Sequence, residues 1–204
     1  IGHLGEVIKD YFGDGSRWDV TISYFIETQP LGTAGALFRM PELQEDFLLM
    51  SGDVMLDVDF NRFINFHKEH QALASLTVHP NNHPFDSSLI VTEILPASYG
   101  GMPIHTNRVV KWMNKEDERL YYRNIVNAGI EMISPRLLEE ARAKLPSLDK
   151  VDLDRDVLKP AIESGKIYAY ETSEYIKDMG TPERLIEVEN DLLSGKIAAH
   201  NLSV

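Results

Sequence analysis

Two aspartates follow short apolar runs, at points where the sequence gives way to a loop. Asp53 ends the segment Ser51-Gly52-Asp53, and Asp178 lies in Lys177-Asp178-Met179-Gly180-Thr181. In an open α/β sheet, ligands bind outside the carboxyl ends of the strands. Two aspartates that meet there could share a Mg²⁺ ion, which favours carboxylate oxygens together with substrate phosphate oxygens. The leading hypothesis is therefore phosphate chemistry on a nucleotide.

The alternative for each aspartate is a purely structural role as a helix cap or a turn residue. Asp53, Asp57 and Asp59 all precede the helix predicted from residue 60, and Asp59 is the best placed to cap it. Thr181 is the predicted cap of the helix that follows Asp178, because a proline occupies the first position of that helix. Both candidate ligands are thus left free. Gly52 strengthens the hypothesis because a residue without a side chain lets a nucleotide approach the backbone closely.

A third segment, Gln29 to Ala36, combines a proline, two glycines and small residues. Gly32 and Gly35 frame a predicted helix start at Thr33, where free backbone N–H groups would face a ligand. A plain small-residue helix packed on a sheet explains residues 34–36 well, but it explains residues 30–33 poorly. Leu31, Gly32 and Thr33 are therefore candidate binding residues.

The hydrophobic pattern predicts an α/β protein with a Rossmann-like, doubly wound and mostly parallel sheet, to which residues 88–130 add antiparallel pieces. Predicted helices cover 4–12, 60–70, 154–164 and 182–193, with another opening at Ser134-Pro135, and predicted strands cover 20–26, 47–50, 73–78, 88–95, 108–113, 124–133 and 166–170. We expect one domain over residues 1–193 and a tail or linker over 194–204.

Composition narrows the function classes. The net charge of −12 argues against broad nucleic-acid binding, which needs a basic surface. An acidic protein can still bind a nucleotide if a metal and a few lysines neutralise the phosphates locally. The chain has no cysteine and no apolar run long enough to span a bilayer. These properties fit a cytoplasmic protein without a membrane partner, and they leave the oligomeric state open, a homo-oligomer included.

Taken together, the motifs resemble those of sugar-1-phosphate nucleotidyltransferases. Glu27 with residues 31–36, then Gly52-Asp53, then Asn127-Ala128-Gly129, then residues 178–182 occur in the order found in that family. The resemblance extends from Gly5 to about residue 192. It implies the nucleotide-diphospho-sugar transferase fold and transfer of a nucleotidyl group from an NTP to a sugar 1-phosphate, with release of pyrophosphate.

The resemblance also implies a role for each matching residue. By this resemblance, residues 31–33 correspond to the base-recognition loop and Gly52 to a nucleotide contact. Asp53 and Asp178 correspond to the two carboxylates that bind Mg²⁺. Asn127 and Gly129 correspond to sugar contacts, and Lys115 corresponds to a lysine that contacts the sugar phosphate. The lysine match is looser, because Asn114 replaces the glutamate that precedes this lysine in the family. A strand-edge amide for Asn127 and a solvated surface lysine for Lys115 stay open as alternatives.

The first residues depart from the family pattern. Ile1 resembles a point some way inside these enzymes, so we expect the first β-α-β unit, with its Gly-rich phosphate loop, to be absent from this chain and the chain alone to be incomplete for catalysis. Residues 11–16 and 178–184 most resemble guanylyltransferases for manno- or heptose 1-phosphates, and the tail resembles a linker that continues into a phosphatase domain in related chains.

Three other functions stay open at this point. One is a glucose-1-phosphate thymidylyl- or uridylyltransferase. The second is a catalytically inactive regulatory or scaffold domain of the same fold, which the missing phosphate loop favours and the two aspartates disfavour. The third is an unrelated α/β enzyme that uses His79, His83 and His105, although their spacing matches no known metal motif.

Overall fold

The computed structural model describes residues 1–41, 43–81, 87–96, 102–114, 116–118 and 122–197. The strands are β1 (Phe47–Met50), β2 (Val54–Asp57), β3 (Ala74–His79), β4 (Leu89–Leu95), β5 (Ile104–Met113), β6 (Val126–Ile133), β7 (Ile167–Glu171) and β8 (Tyr175–Asp178). The α-helices are α1 (Gly5–Phe12), α2 (Phe60–Glu69), α3 (Pro135–Lys144), α4 (Lys159–Ala161) and α5 (Pro182–Leu193). Helix α4 continues a π-helical turn, Leu153–Leu158, and ends in a 3₁₀ turn, Ile162–Ser164; further 3₁₀ turns cover Ser16–Trp18 and Gly35–Phe38.

Six strands form one twisted sheet in the order β1-β6-β3-β7-β5-β4. Strands β3 and β7 pair in parallel, whereas β6 pairs antiparallel with both β1 and β3. Strands β4 and β5 are consecutive strands of the chain and pair antiparallel. The α/β class and the antiparallel additions expected within residues 88–130 are confirmed. Strands β1, β3, β7 and β4 run in one direction, and β5 and β6 run in the opposite direction.

Strands β2 and β8 form a separate two-stranded antiparallel sheet that the sequence did not predict. Its register places Val54 opposite Asp178. The N–H of Met179 donates to the carbonyl of Asp53 at 2.7 Å. Asp57, considered above as a helix cap, instead ends β2 and is buried, while Asp59 caps α2 by accepting a hydrogen bond from the Arg62 N–H. This small sheet sets the two candidate metal ligands on neighbouring strands.

Strand β6 carries the hydrophobic core on one face and polar residues on the other. Ala128, Ile130 and Met132 point towards α2 and pack with Phe63 and Tyr170. Because side chains alternate along a strand, the residues between them face the opposite side of the sheet. A second, larger core cluster lies among the central strands, α3 and the helix that begins at residue 153. The sheet is thus covered on both sides, as an α/β architecture requires.

Two predicted elements near the N-terminus are different in the structure. Residues 20–26 belong to no strand. Val20 and Ile26 are more than half exposed, and the Ile22 N–H donates to the carbonyl of Asp14 instead of to a partner strand. Alternation of apolar residues cannot reveal whether a partner strand is available. The helix predicted from Thr33 is only the short 3₁₀ turn that begins at Gly35. No helix in the described part of the chain is long and apolar enough to cross a bilayer.

Candidate active site

A bulge in β6 shapes the floor of the cavity that several predicted site residues border. Between the pairs Leu76 with Glu131 and Val78 with Asn127, β6 advances four residues while β3 advances two. Gly129 lies inside this bulge with φ of +72°. A Cβ atom on Gly129 would lie 2.8 Å from the Ser51 Oγ, and the N–H of Ser51 donates to the Gly129 carbonyl. Such bulges re-aim side chains and are common next to active sites.

The cavity above this bulge has a volume of about 640 Å³, within the range typical of small-molecule sites. Its floor is the polar face of β6, its near wall is the loop after β1, and its far wall is the start of the π-helical turn. The lining residues are Thr33, Leu49, Met50, Ser51, Gly52, Asp53, Ser87, Ser88, Trp112, Asn127, Gly129, Glu131, Asp152, Leu153 and Asp154. Five predicted site residues therefore meet at one cavity: Thr33, Gly52, Asp53, Asn127 and Gly129.

The two aspartates converge at the edge of this cavity. A Cβ atom on Gly180 would lie 3.4 Å from Asp178 Oδ1 and 3.8 Å from Asp53 Oδ2, so both oxygens lie within 4 Å of one point. Asp178 lines an adjoining cavity of about 740 Å³, which shares Asn127 with the first. Asp178 also pairs with Arg184 and accepts a hydrogen bond from the Gly180 N–H, so the expectation that it has no structural partner was wrong.

The structure gives the predicted base-recognition loop a clear structural role. Gly32 has φ of +81°, and a Cβ atom there would lie 2.4 Å from the Val151 carbonyl oxygen. The Leu31 carbonyl accepts from the Val151 N–H, and the Thr33 Oγ1 accepts from the Leu153 N–H. Leu31 is buried, and only Thr33 of the three residues lines the cavity above the β6 bulge. The loop is therefore attached to the far wall of the cavity, which begins at residue 151.

Glu131 is a cavity residue that the sequence analysis missed. The residue is only 2% exposed, and its carboxyl accepts a hydrogen bond from Asn127 Nδ2 at 2.9 Å. Burial raises the pKa of Glu131 to about 7, and the nearby charge of Asp154 adds to the effect. Burial also raises the pKa of Asp154, with Asp152 contributing. A charged residue inside the mostly apolar strand Val126–Ile133 was the signal that could have revealed it.

Two further polar atoms beside this cavity lack a hydrogen-bond partner among the described residues. They are the Nε1 of Trp112 and the Oδ1 of Asn127, both of which are buried. Unpaired buried polar atoms are uncommon in folded proteins, so these two atoms are candidates for hydrogen bonds to a ligand in the cavity. Asn114, which replaces the family's glutamate, accepts a hydrogen bond from Lys159, whose ammonium also lies over the Trp112 ring. Lys115 lies outside the described residues.

The histidines form no common site in the described part of the chain. His79 lines the adjoining cavity and His105 lines a different, smaller one, whereas His83 lies outside the described residues. The described residues also hold no group of three or more His, Cys, Asp or Glu side chains placed to bind a metal ion by themselves. A metal at Asp53 and Asp178 would therefore need ligands from the substrate or from water.

Comparison with known proteins identifies the family. The model of the nucleotidyl transferase family matches residues 3–195, so the chain belongs to that family, in agreement with the resemblance stated above. The chain is 28% identical to a mannose-1-phosphate guanylyltransferase from Mycobacterium tuberculosis, with 93% of this chain and 49% of the relative covered. It is 26% identical to a UTP–glucose-1-phosphate uridylyltransferase from Synechocystis, with 81% and 42% covered. The chain thus spans about half the length of the curated relatives it matches.

Solved structures share the fold. A Bacillus anthracis protein, provisionally described as a glucose-1-phosphate thymidylyltransferase and solved with sucrose, superposes with a TM-score of 0.72 at 14% identity. The alignment covers 98% of this chain and 73% of that protein. The structural likeness supports the nucleotide-diphospho-sugar transferase fold that the motifs implied.

Proposed function

We propose that this protein transfers a nucleotidyl group from an NTP to a sugar 1-phosphate. A phosphate oxygen of the sugar 1-phosphate attacks the α-phosphorus of the NTP, the bond from that phosphorus to the bridging oxygen breaks, and pyrophosphate leaves. The observation that carries the proposal is the convergence of Asp53 and Asp178 at one end of the cavity. Family membership supports the same reaction class.

The donor set of this site fits a magnesium ion. Mg²⁺ is usually held by one or two carboxylates together with phosphate oxygens and water, and the two aspartates supply the carboxylates. When bound, the ion would stabilise negative charge on the reacting phosphates. The Arg184 guanidinium pairs with Oδ1 of Asp178. The ion must therefore either displace Arg184 or bind through Oδ2 of Asp178.

The remaining residues would bind and orient the two substrates. Gly52 is exposed, and a Cβ atom there would meet no other atom within 4 Å, so a nucleotide could lie against its backbone. Asn127 and Gly129, on the cavity floor, would contact the sugar, and Lys115 its phosphate. Holding attacking and leaving groups in line accounts for much of the rate enhancement in such transfers, because little covalent work falls to the protein.

For the substrates, we propose GTP with a manno- or heptose 1-phosphate. The match to a mannose-1-phosphate guanylyltransferase supports this choice, while the match to a uridylyltransferase supports UTP or dTTP with glucose 1-phosphate as the alternative. A cytoplasmic location belongs to the same proposal, whereas the oligomeric state and a fused phosphatase domain stay open.

Pyrophosphate release by the full-length protein tests the reaction. GTP, CTP, UTP and dTTP are each offered with mannose, heptose and glucose 1-phosphates, and Mg²⁺ is varied. We expect Asp53→Ala and Asp178→Ala to lower turnover by at least about 100-fold while the protein stays folded. Asp10→Ala, at an exposed position of α1, is the matched control. Turnover near the wild-type rate in either cavity variant would contradict the metal assignment.

An inactive scaffold domain is the second candidate, because Asp178 already has an ion-pair partner and Asn114 stands where the family has a glutamate. Titration calorimetry of the full-length protein separates the two functions. An enzyme binds NTP more tightly when Mg²⁺ is present, and Asp53→Ala removes that difference. A scaffold binds no NTP under either condition.

A further inference from the structure

Glu131 is an unusual residue for its position. It is almost completely buried in the middle of a core strand, yet its side chain lines the cavity where the sugar is proposed to bind. A buried carboxylate is costly unless other groups compensate it. The described lining of this cavity contains four carboxylates and no lysine, arginine or histidine. The only side-chain hydrogen bond described for Glu131 comes from the neutral amide of Asn127.

The direction of that hydrogen bond orients both groups. Asn127 donates through Nδ2 to Glu131 Oε1, which leaves its own Oδ1 as a buried acceptor without a partner among the described residues. Glu131, when ionised, also only accepts hydrogen bonds. Because Asn127, Gly129 and Glu131 lie on the same face of β6, both acceptors border one cavity. A group that fills this part of the cavity must therefore donate hydrogen bonds.

We infer that Glu131 is a specificity-determining residue for the sugar substrate, whose carboxylate accepts a hydrogen bond from a donor substituent on the sugar ring. The inference rests on the proposed function. It adds Glu131 to the sugar site, and it adds the requirement that the sugar carries a hydrogen-bond donor there. A hydroxyl and a protonated amine both satisfy the requirement, and a deoxy position does not. The unpartnered Trp112 Nε1–H on the same cavity favours a hydroxyl, which can also accept a hydrogen bond, whereas the surrounding carboxylates favour an amine.

Sites built to bind a substrate hydroxyl reject analogues that lack it, because the buried protein groups are then left unpaired. The wild-type protein should therefore discriminate sharply against one particular deoxy analogue of its sugar 1-phosphate. Replacing Glu131 should weaken that discrimination specifically. A residue with a merely structural role would change all substrates alike.

The test measures kcat/KM of the full-length protein for the accepted sugar 1-phosphate, its monodeoxy analogues and the corresponding amino analogues. We expect one deoxy position to lower kcat/KM by at least about 100-fold in the wild-type protein. In Glu131→Gln and Glu131→Leu, kcat/KM for the parent sugar 1-phosphate should fall towards the value for the deoxy analogue, mainly through a higher KM. The kcat/KM for the deoxy analogue itself should change little. Glu189→Gln, at an exposed position of α5, should match the wild type.

The outcomes separate this inference from the proposed function. If the deoxy analogue lowers kcat/KM by the same factor in the wild type and in both Glu131 variants, the inference is overturned while the proposed nucleotidyl transfer stands. The amino analogue decides the nature of the donor: a higher kcat/KM than the parent identifies an amine, and a lower one a hydroxyl. If no NTP and sugar pair is turned over, the proposed function fails, and calorimetric binding of the sugar 1-phosphates to the same variants then decides the role of Glu131.

Discussion

Replacing Glu131 with glutamine should make the protein more stable at neutral and alkaline pH. Burial raises the pKa of the carboxyl from its ordinary value of 4.5 to about 7. Since one pKa unit corresponds to about 1.4 kcal/mol, keeping this carboxylate ionised in the folded state costs about 3 kcal/mol. The folded state holds the proton more tightly than the unfolded chain. The contribution of Glu131 to stability is therefore largest below pH 4.5, declines as the pH rises towards 7, and stays low above it.

Glutamine cannot ionise, and its side-chain oxygen can still accept the hydrogen bond from Asn127 Nδ2. The Glu131→Gln variant should therefore lack this decline and be more stable than the wild type by up to about 3 kcal/mol at pH 8, with little difference at pH 4.5. Urea denaturation at a series of pH values measures this directly, and Glu189→Gln controls for loss of an exposed carboxylate. A variant that is less stable than the wild type at pH 8, or whose stability declines in parallel with it, would refute the reasoning.

Three other predictions follow from the geometry. Gly129→Ala should lower stability by about 1–3 kcal/mol in urea denaturation, because of its φ and the contact with Ser51; Gly195→Ala, with the same φ of +72° but no atom within 4 Å, should cost less. Gly52→Ala should leave stability unchanged yet raise the KM for NTP by at least about 10-fold, and an unchanged KM would exclude close approach of the nucleotide. Burial lowers the pKa of His67, so the contribution of this residue to stability is complete above about pH 6.5 and declines below it. In a Glu131→Gln background, His67→Gln should reduce the loss of stability between pH 6.5 and lower pH. If the dependence of unfolding free energy on pH is unchanged, that loss belongs to other groups.

Local signals predicted most helices well and strand partners less well. Helix α2 was predicted to within one residue, because its N-cap Asp59 acts through local hydrogen bonds that the sequence encodes directly. The same holds for α5 and Thr181. The small sheet of β2 and β8 is not predicted because its pairing joins residues more than a hundred positions apart. Residues 20–26 have the composition of a strand but no partner, for the same reason. Pairing is a long-range property that no short window contains.

The candidate site was predicted in outline from two kinds of signal. Gly52 and Asp53 were predicted from their position after a short apolar run, and Asn127 and Gly129 from the resemblance to the family. All four border one cavity. Leu31 and Gly32 were predicted as ligand contacts, but one is buried and the other packs against the backbone of residue 151. The sequence alone cannot distinguish a glycine that is required by close packing from a glycine that is required by a ligand.

Three features that border this cavity depart from regular structure. Gly129 has a left-handed conformation inside a bulge, Glu131 is a buried carboxyl within a mostly apolar strand, and the π-helical turn starts at Leu153 on the opposite wall. Each of these features costs stability or regularity by itself. Irregular positions also occur elsewhere in the fold, such as the positive φ angles of Leu4, Asp19 and Gln71. What distinguishes the three is that they border one cavity of about 640 Å³, and a local loss of stability beside a cavity is the general pattern at functional sites. The stability gain expected for Glu131→Gln and the loss of sugar discrimination expected for the same variant are therefore two consequences of one buried carboxylate.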